Sequence, residues 1–184
     1  MKPTIITFAF MLVLLMVTVT NAQDAPRMDK SPLDFAYMPY NYPHDGGDKL
    51  IGRVIYSRPA KNDREIFGKL IKYDKVWRLG ANEATEITFY QDVTFGEKKV
   101  KAGTYSLFVI PGEKSWTFIV SSQQHLWGAY SYDKGKDVAR TEVKTGKTEN
   151  TVENLSIKFT EEGEGKGALN VYWDDVHVAV PIAY

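Results

Sequence analysis

Short β-forming segments separated by turn residues recur along most of this chain, and no long amphipathic helix lies between them. The clearest pair comprises residues 104–110 and 116–121, which flank a turn containing Pro111 and Gly112. Apolar and polar residues alternate through the second segment, as they do in a strand with one buried face. About nine or ten such segments, roughly 8–12 residues apart, predict an all-β fold, namely a single antiparallel β-sandwich or jelly-roll-like domain.

The other predicted strands follow the same pattern. They are residues 50–57, 86–91, 93–95, 138–144 and 154–159, followed by a final hairpin of residues 169–173 and 176–182. We expect this hairpin to turn at Asp174 and Asp175, and we expect the polar residues 145–149 to form a loop. The apolar side chains of residues 64–71 are spaced for one helical face, so a short helix or turn is predicted there.

Strand alternation also predicts which side chains form the core. One face of the segment 116–121 carries Trp116, Phe118 and Val120. Because side chains alternate with a period of two, this whole face is expected to point inward. The partners expected for it are Tyr105, Leu107 and Val109 on the neighbouring strand, with Leu169 and Val171 across from them.

The first 22 residues have the pattern of a secretory signal. Lys2 precedes an apolar, uncharged run at residues 5–19, and the small residue Ala22 suits a cleavage site. The run is shorter than the roughly 20 residues that a transmembrane helix needs. We therefore expect export to a bacterial periplasm or to the cell exterior, with no transmembrane span after cleavage. The mature chain would comprise an extended N-terminal arm, residues 23–47, and the β-sandwich domain, residues 48–184.

The composition excludes several classes of function. Cysteine is absent, which rules out thiolate metal ligands and thiol catalysis. Removal of residues 1–22 takes away Lys2 and leaves 22 of the 23 basic residues against 23 acidic ones, a net charge of −1. That balance gives no electrostatic basis for binding nucleic acid. The three histidines show no metal-site spacing and no phosphate-binding loop occurs, so neither a metal nor a cofactor is expected.

Residues 76–87, VWRLGANEATEI, are the main candidate for a functional site. Arg78 offers a fork of donors suited to a carboxylate or a sulfate, and Asn82 and Glu83 add an amide and a carboxylate. Trp77 offers a flat ring that can stack on a sugar. The structural alternative is that Arg78 pairs with Glu83 and that Trp77 fills the core.

Two more arginines precede this segment. Arg58 lies at the end of the first predicted strand, because Pro59 cannot donate to a β-ladder, and Arg64 follows on the loop. Since strand ends gather at one edge of a sandwich, we predict that Arg58 comes together in space with Arg78, Asn82 and Glu83. Such a cluster, with Glu86, would form either a polar pocket or a buried ion-pair network, and the sequence leaves both open.

A second aromatic segment, LWGAYSYD, spans residues 126–133. Trp127, Tyr130 and Tyr132 have the composition of a platform that stacks on the apolar face of a sugar ring. Core packing with satisfied hydroxyl groups is the alternative. The candidate binding residues are therefore Arg58, Arg64, Trp77, Arg78, Asn82, Glu83, Trp127, Tyr130 and Tyr132.

Six stretches of the chain occur in the order seen in a known family: YSRP, REIFGKL, KVWRLGANEAT, KAGTYSLFVIPGE, WTFIVS and LWGAYSYD. On these motifs, residues 50–182 resemble the secreted bacterial family catalogued as domain of unknown function 2911. The chain departs from the family pattern at Leu79, where Thr is usual, and at His125 and Leu126, which precede Trp127. The resemblance implies a signal peptide and a single β-rich domain. It implies no established activity and therefore transfers no catalytic residue.

Two classes of function are open from the sequence. The first is an exported β-sandwich protein that binds a small polar ligand, a glycan or a partner protein, because its loops are rich in aromatic residues and arginine. The second is a hydrolase or lyase that uses Glu83 with Arg78 and Asn82, because these groups lie close together in one glycine-containing loop. An open pocket at these residues is compatible with both classes, whereas full burial and pairing argues against catalysis there.

Overall fold

The computed structural model of the chain describes residues 27–45 and 49–184. The predicted secretory signal, residues 1–22, lies outside the described residues. Within the part that is described, no helix is long and apolar enough to cross a membrane.

Antiparallel strands build the fold, which confirms the predicted all-β class. The strands are β1 (Leu33–Met38), β2 (Gly52–Ser57), β3 (Glu86–Phe89), β4 (Val93–Phe95), β5 (Lys98–Val100), β6 (Gly103–Pro111), β7 (Ser115–Ser121), β8 (Asp137–Glu161) and β9 (Lys166–Ala183). They are hydrogen-bonded in the order β1-β2-β3-β6-β7-β8-β9-β4-β5. Helical structure in the described residues is confined to α1 (Tyr42–Asp45) and to a 3-10 helix (Lys134–Lys136).

Strand β8 belongs to both halves of this sheet. Its residues 137–144 pair with β7, whereas residues 145–161 pair with β9. The sheet thereby folds over into two layers around one core. The Phe95 ring of β4 lies 6.2 Å from the Phe89 ring of β3 and 6.4 Å from the Phe118 ring of β7. This facing arrangement is the predicted sandwich.

The core contains the residues that strand alternation places inward. Trp116 is 1% exposed, and Phe118 and Val120 are fully buried. They pack in one cluster with the partners expected from the sequence, which are Leu107, Val109, Leu169 and Val171, with Tyr105 at the border. The predicted core is therefore confirmed. Phe108, on the opposite face of β6, is also buried, because the Tyr132 ring covers it at 5.2 Å.

The polar residues 145–149 lie in a strand and not in the predicted loop. Residues 145–147 pair directly with β9, and two register shifts follow before residue 156. Backbone hydrogen bonds to β9 hold this stretch extended, and side chains on the solvent face of a strand need not be apolar. The strands predicted at residues 138–144 and 154–159 are therefore parts of one 25-residue strand.

The last predicted hairpin is likewise one continuous strand, β9. Asp174 has a φ of +56°, and the register with β8 shifts beside it. A bulge of this kind moves the side-chain alternation by one residue. Trp173 before the bulge and Val178 after it are therefore both buried, each 1% exposed. The prediction of a turn at Asp174 and Asp175 was wrong, because a register switch breaks the apolar pattern just as a turn does.

The sheet begins inside the segment interpreted as the N-terminal arm. Strand β1 pairs antiparallel with β2, from Leu33 opposite Ser57 to Met38 opposite Gly52. Its inward residues Ala36 and Met38 are buried, so this segment contributes to the sandwich core.

Residues 64–71 form consecutive turns, one of the two alternatives predicted for them. Gly68 has a φ of +87°, which a regular helix does not allow, and its N–H donates to Ile71 O at 2.8 Å. Ile66 is fully buried, whereas Leu70 is 44% exposed. The segment is thus anchored on the core and presents Leu70 to solvent.

Candidate functional site

The loop before β3 is held by its own backbone and by β2. Thr85 Oγ1 donates to Leu79 O at 2.9 Å, and Thr85 N donates to Arg78 O at 3.1 Å. Gly80 lies so close to β2 that a Cβ at this position would be 3.1 Å from Ser57 O. These contacts make the loop a fixed support for the side chains that it carries.

Trp77 is the aromatic anchor of this loop. Its ring stacks on Trp173 with the centroids 5.8 Å apart, and it meets Phe67 and Trp116 edge-on. Its Nε1 donates to Gly80 O at 3.1 Å, and the residue is 7% exposed. Trp77 is therefore packed in the core, while part of its side chain lines a surface cleft.

Backbone carbonyls, and not a carboxylate, orient the Arg78 guanidinium. Its Nε donates to Gly80 O at 3.4 Å and its Nη1 donates to Asn82 O at 3.2 Å. Among the described residues, no acidic side chain lies within ion-pair distance of Arg78. The pairing with Glu83 that the sequence left open is therefore not formed. Carbonyl oxygens fix the guanidinium fork and leave its positive charge unbalanced.

The aromatic segment around Trp127 packs against this loop. Glu83 forms a β-bridge with Trp127, and Gly128 N donates to Asn82 O at 3.0 Å. Trp127 is 61% exposed and Tyr130 is 82% exposed. The fold thus brings two of the three predicted platform rings beside the loop that carries Arg78.

The two loops border a cleft of about 480 Å³, here called the basic cleft. Its aromatic and large apolar lining consists of Leu70, Ile71, Val76, Trp77, Tyr130 and Trp173. Its charged lining is entirely cationic and consists of Arg64, Lys72, Lys75 and Arg78. No carboxylate of the described residues lines the cleft, and none of these four cations forms an ion pair within that part of the chain. The cleft is therefore positively charged and partly apolar.

Two of these cations, Lys72 and Lys75, were not among the candidate residues predicted from the sequence. Lys72 and Lys75 are exposed lysines, and their local sequence resembles any solvated surface. Lys72 directly follows the turns at residues 64–71, and Lys75 lies in the next turn, where Asp74 N donates to Pro111 O at 2.9 Å. Arg64, which was expected, is held there by its guanidinium, which donates to Lys61 O at 2.8 Å and to Ala60 O.

Arg58 lies apart from the basic cleft and points to β8. Its Nε donates to Leu155 O at 3.0 Å, its Nη2 donates to Ser156 Oγ at 2.9 Å, and its Nη1 pairs with Asp34 at 3.1 Å. Among the described residues it forms no ion pair with Glu83. The side chains of Arg58 and Asp34 are 37% and 40% exposed. The predicted convergence of Arg58 with the loop, and the buried network, are therefore not formed.

Tyr132 is held by hydrogen bonds of the fold. Its hydroxyl accepts from Arg140 Nη2 at 2.6 Å and lies 2.8 Å from Asp137 Oδ2. Burial, with the hydrogen bond to Asp137, raises the pKa of Tyr132. Its ring packs on Phe108, so Tyr132 covers the outer face of β6 and lies outside the lining of the basic cleft.

Two further cavities adjoin the basic cleft along the same loop. The first, here called the middle pocket, has about 490 Å³, shares Ser31 with the basic cleft, and is lined by Asn82 and Trp127. The second, here called the acidic pocket, has about 190 Å³, shares Glu83 with the middle pocket, and contains Glu86. In the described ranges of the chain, no group of three or more His, Asp or Glu side chains is arranged to hold a metal ion.

Comparison with known families matches residues 45–182 to the family described as Protein of unknown function (DUF2911). The match covers most of the chain, so the chain belongs to this family, as its motifs indicated. A search of curated proteins and a search of solved structures gave no match. The family description names no activity.

Proposed function

We propose that this domain is an exported binding protein that holds a small anionic ligand in the basic cleft. The observation that carries the proposal is the charge of the lining, in which Arg64, Lys72, Lys75 and Arg78 occur without a carboxylate. Unbalanced positive charge that converges on a concave site attracts an anion and orients it.

Arg78 supplies the directional contact to the ligand. Carbonyl oxygens already accept from its Nε and Nη1, so the plane of the guanidinium is set before a ligand arrives. Its Nη2 has no hydrogen-bond partner among the described residues, and it is placed to donate to a carboxylate, sulfate or phosphate oxygen. A side chain that is already ordered loses less entropy on binding.

The apolar lining indicates the rest of the ligand. Tyr130 and Leu70 both line the cleft and are 82% and 44% exposed. A ring or a short alkyl group that covers them removes apolar surface from water. A volume of about 480 Å³ falls within the range of roughly 300–1,000 Å³ that is usual for small-molecule sites. The ligand class is therefore an organic acid or an acidic sugar.

No contact favours the alternative, a hydrolase or lyase that uses Glu83 with Arg78 and Asn82. Arg78 lines the basic cleft, whereas Glu83 lines the two neighbouring pockets. The Asn82 amide donates to Asp29 Oδ1 at 3.0 Å. A catalytic set needs its groups around one reacting atom. The geometry therefore supports binding better than catalysis.

Export is part of the proposal. The order of residues 1–22 supports export: a positive charge at Lys2 comes first, an apolar run follows, and the small residue Ala22 ends the segment. Mass spectrometry of the protein secreted from its host should find a mature N-terminus at Gln23. An intact residue Met1 on the exported protein would contradict cleavage.

Matched pairs of probes test the binding function. Isothermal titration calorimetry with the purified protein compares benzoate with benzyl alcohol, and glucuronate with glucose. We expect the anion of each pair to bind and its neutral counterpart to give no heat. The Arg78→Met variant is expected to lose the binding, and Arg78→Lys to recover only part of it because lysine lacks the planar fork.

Two further variants control for folding and for charge. The double variant Lys72→Met, Lys75→Met changes exposed side chains only, so it should keep the thermal stability of the wild type and still bind anions more weakly. The double variant Lys98→Met, Lys99→Met removes an equal charge on β5, away from the cleft, and should leave anion binding unchanged. Equal binding of anions and neutral counterparts, or equal binding by all variants, would contradict the proposal.

A further inference from the structure

The acidic pocket lies on the outer face of the sandwich layer that contains β2, β3 and β6. Its floor is made by Ser57, Glu86 and Ser106, and the last two are directly paired across β3 and β6. Their neighbours in sequence, including Ile87 and Leu107, belong to the core. Because side chains alternate along a strand, the three floor residues point away from the core and into the pocket.

The polar groups on this floor are unpaired among the residues that the structure describes. Ser57 is 3% exposed and Ser106 is 2% exposed, and neither hydroxyl group has a hydrogen-bond partner among the described residues. In the same part of the chain Glu86 forms no ion pair, although Arg53 lies diagonally across from it on β2. Because both hydroxyl groups line the pocket, a ligand inside it can become their hydrogen-bond partner. The unused groups therefore mark a place that a ligand is suited to fill.

The chemistry of the lining selects the ligand. Glu86 and the two serine hydroxyl groups offer acceptors that converge on a small space, and Glu83 adds a second carboxylate at the same pocket. An ammonium group has three donors and a positive charge, so it matches this set. The apolar part of the lining is Leu33, Ile55 and Leu126, which suits a chain of methylene groups.

We propose that the acidic pocket binds the ammonium group of a lysine side chain presented by a peptide or protein. The volume of about 190 Å³ admits an ammonium group with its alkyl stem. The middle pocket shares Ser31 with the basic cleft and Leu33, Ser57 and Glu83 with the acidic pocket, so it lies between the two charged cavities. This lysine site does not depend on the anion site, and each has its own variants.

Calorimetric titration of the purified protein with Nα-acetyl-lysine methylamide tests the site. The control ligand is the norleucine analogue, which has the same apolar stem without the ammonium group. We expect only the lysine compound to bind. Glu86→Gln, which keeps the shape of the side chain, should reduce its affinity about tenfold or more, the loss expected for one hydrogen bond between charged groups.

Further variants test which side chains of the pocket recognise lysine. Ser106→Ala, which removes a hydroxyl group and no charge, should also weaken lysine binding. Glu97→Gln, an exposed residue between β4 and β5, is the charge-matched control and should have no effect on lysine binding. Glu86→Gln should keep the thermal stability of the wild type because, among the described residues, Glu86 forms no ion pair that the substitution could break.

Four outcomes would overturn the proposal. Equal binding of the lysine and norleucine compounds would show that the ammonium group is not recognised. An unchanged affinity in Glu86→Gln and Ser106→Ala would place the site elsewhere. Glucosamine binding as tightly as the lysine compound would exclude a preference for lysine. A clear loss of stability in Glu86→Gln would show that Arg53 already neutralises this carboxylate in solution.

Discussion

Arg78 Nη1 lies in the space that a side chain at Gly128 would occupy. A Cβ built at Gly128 would be 2.7 Å from this nitrogen and 2.9 Å from the Tyr130 ring. Gly128 also has a φ of +68°, which other residues rarely adopt. The positions of the Arg78 and Tyr130 side chains thus require that residue 128 has no side chain.

The first prediction concerns this contact. Gly128→Ala is expected to displace the Arg78 guanidinium and to weaken binding of benzoate about tenfold, the loss of roughly one hydrogen bond to a charged group. The positive φ should also cost about 1 kcal/mol of unfolding free energy. Calorimetry measures the first effect and urea unfolding the second.

Gly163→Ala is the matched control for backbone strain. Gly163 also has a positive φ, +118°, but no atom lies within 4 Å of a Cβ placed there. Its substitution should reduce stability and leave benzoate binding unchanged. If Gly128→Ala bound benzoate like the wild type, Arg78 would not need the space at residue 128.

The second prediction concerns the core. Phe118 is fully buried between the layers, with its ring 6.4 Å from Phe95 and 6.3 Å from Trp116. Phe118→Ala should lower the unfolding free energy by about 3–5 kcal/mol, because it removes apolar contacts and leaves a cavity. The midpoint of urea unfolding measures the loss. Tyr90→Ala, at a residue that is 43% exposed, should change the midpoint far less.

The third prediction concerns Glu83. Because this side chain is exposed and forms no ion pair among the described residues, Glu83→Gln should change the unfolding free energy by less than about 0.5 kcal/mol. A carboxylate in a buried arginine network would lose roughly 3–5 kcal/mol in the same substitution. Urea unfolding distinguishes the two cases, and a loss in the larger range would show that Glu83 pairs with an arginine after all.

The fourth prediction concerns pH. Burial lowers the pKa of His177, whose ring stacks on Tyr172 at 4.4 Å and whose Nε2 lies 3.0 Å from Asn170 Oδ1. The folded protein therefore takes up a proton on this ring less readily than the unfolded chain does. The stability attributable to His177 is complete above the unfolded pKa of about 6.5 and is lost as the pH falls through and below that value.

Urea midpoints measured from about pH 8 to about pH 5.5 check the sign of this effect. His177→Gln should flatten the pH dependence over this range. A steeper loss of stability in His177→Gln than in the wild type would contradict the assignment.

The strand pattern of the sequence predicted the fold well wherever alternation and turns agreed. The hairpin of β6 and β7 and its buried face, including Phe118, followed directly from residues 103–121. The prediction failed at Asp174, where a bulge reverses the alternation within one strand. It also failed at residues 145–149, where pairing with β9 makes a strand from residues with little β-propensity.

The candidate site was predicted only in part. Arg78 and Tyr130, which belong to two separate candidate segments of the sequence, line the same cleft, because their loops are adjacent and Gly128 leaves room for both side chains. Arg58 does not join them, because a strand-end position fixes a backbone and does not fix the direction of a long side chain. Lys72 and Lys75 had no distinguishing pattern, since their role follows from the turns that place them at the cleft.

Strand β8 pairs with a strand in each layer of the sandwich, and it therefore couples the unfolding of the two layers. If residues 137–144 detach from β7, residues 145–161 are no longer held in place at their N-terminal end. If residues 145–161 detach from β9, residues 137–144 likewise lose the support at their C-terminal end. Neither layer can fray along this border without weakening the edge of the other. The two layers are therefore expected to unfold together as a single cooperative unit, with amide protons along both halves of β8 exchanging at a common rate.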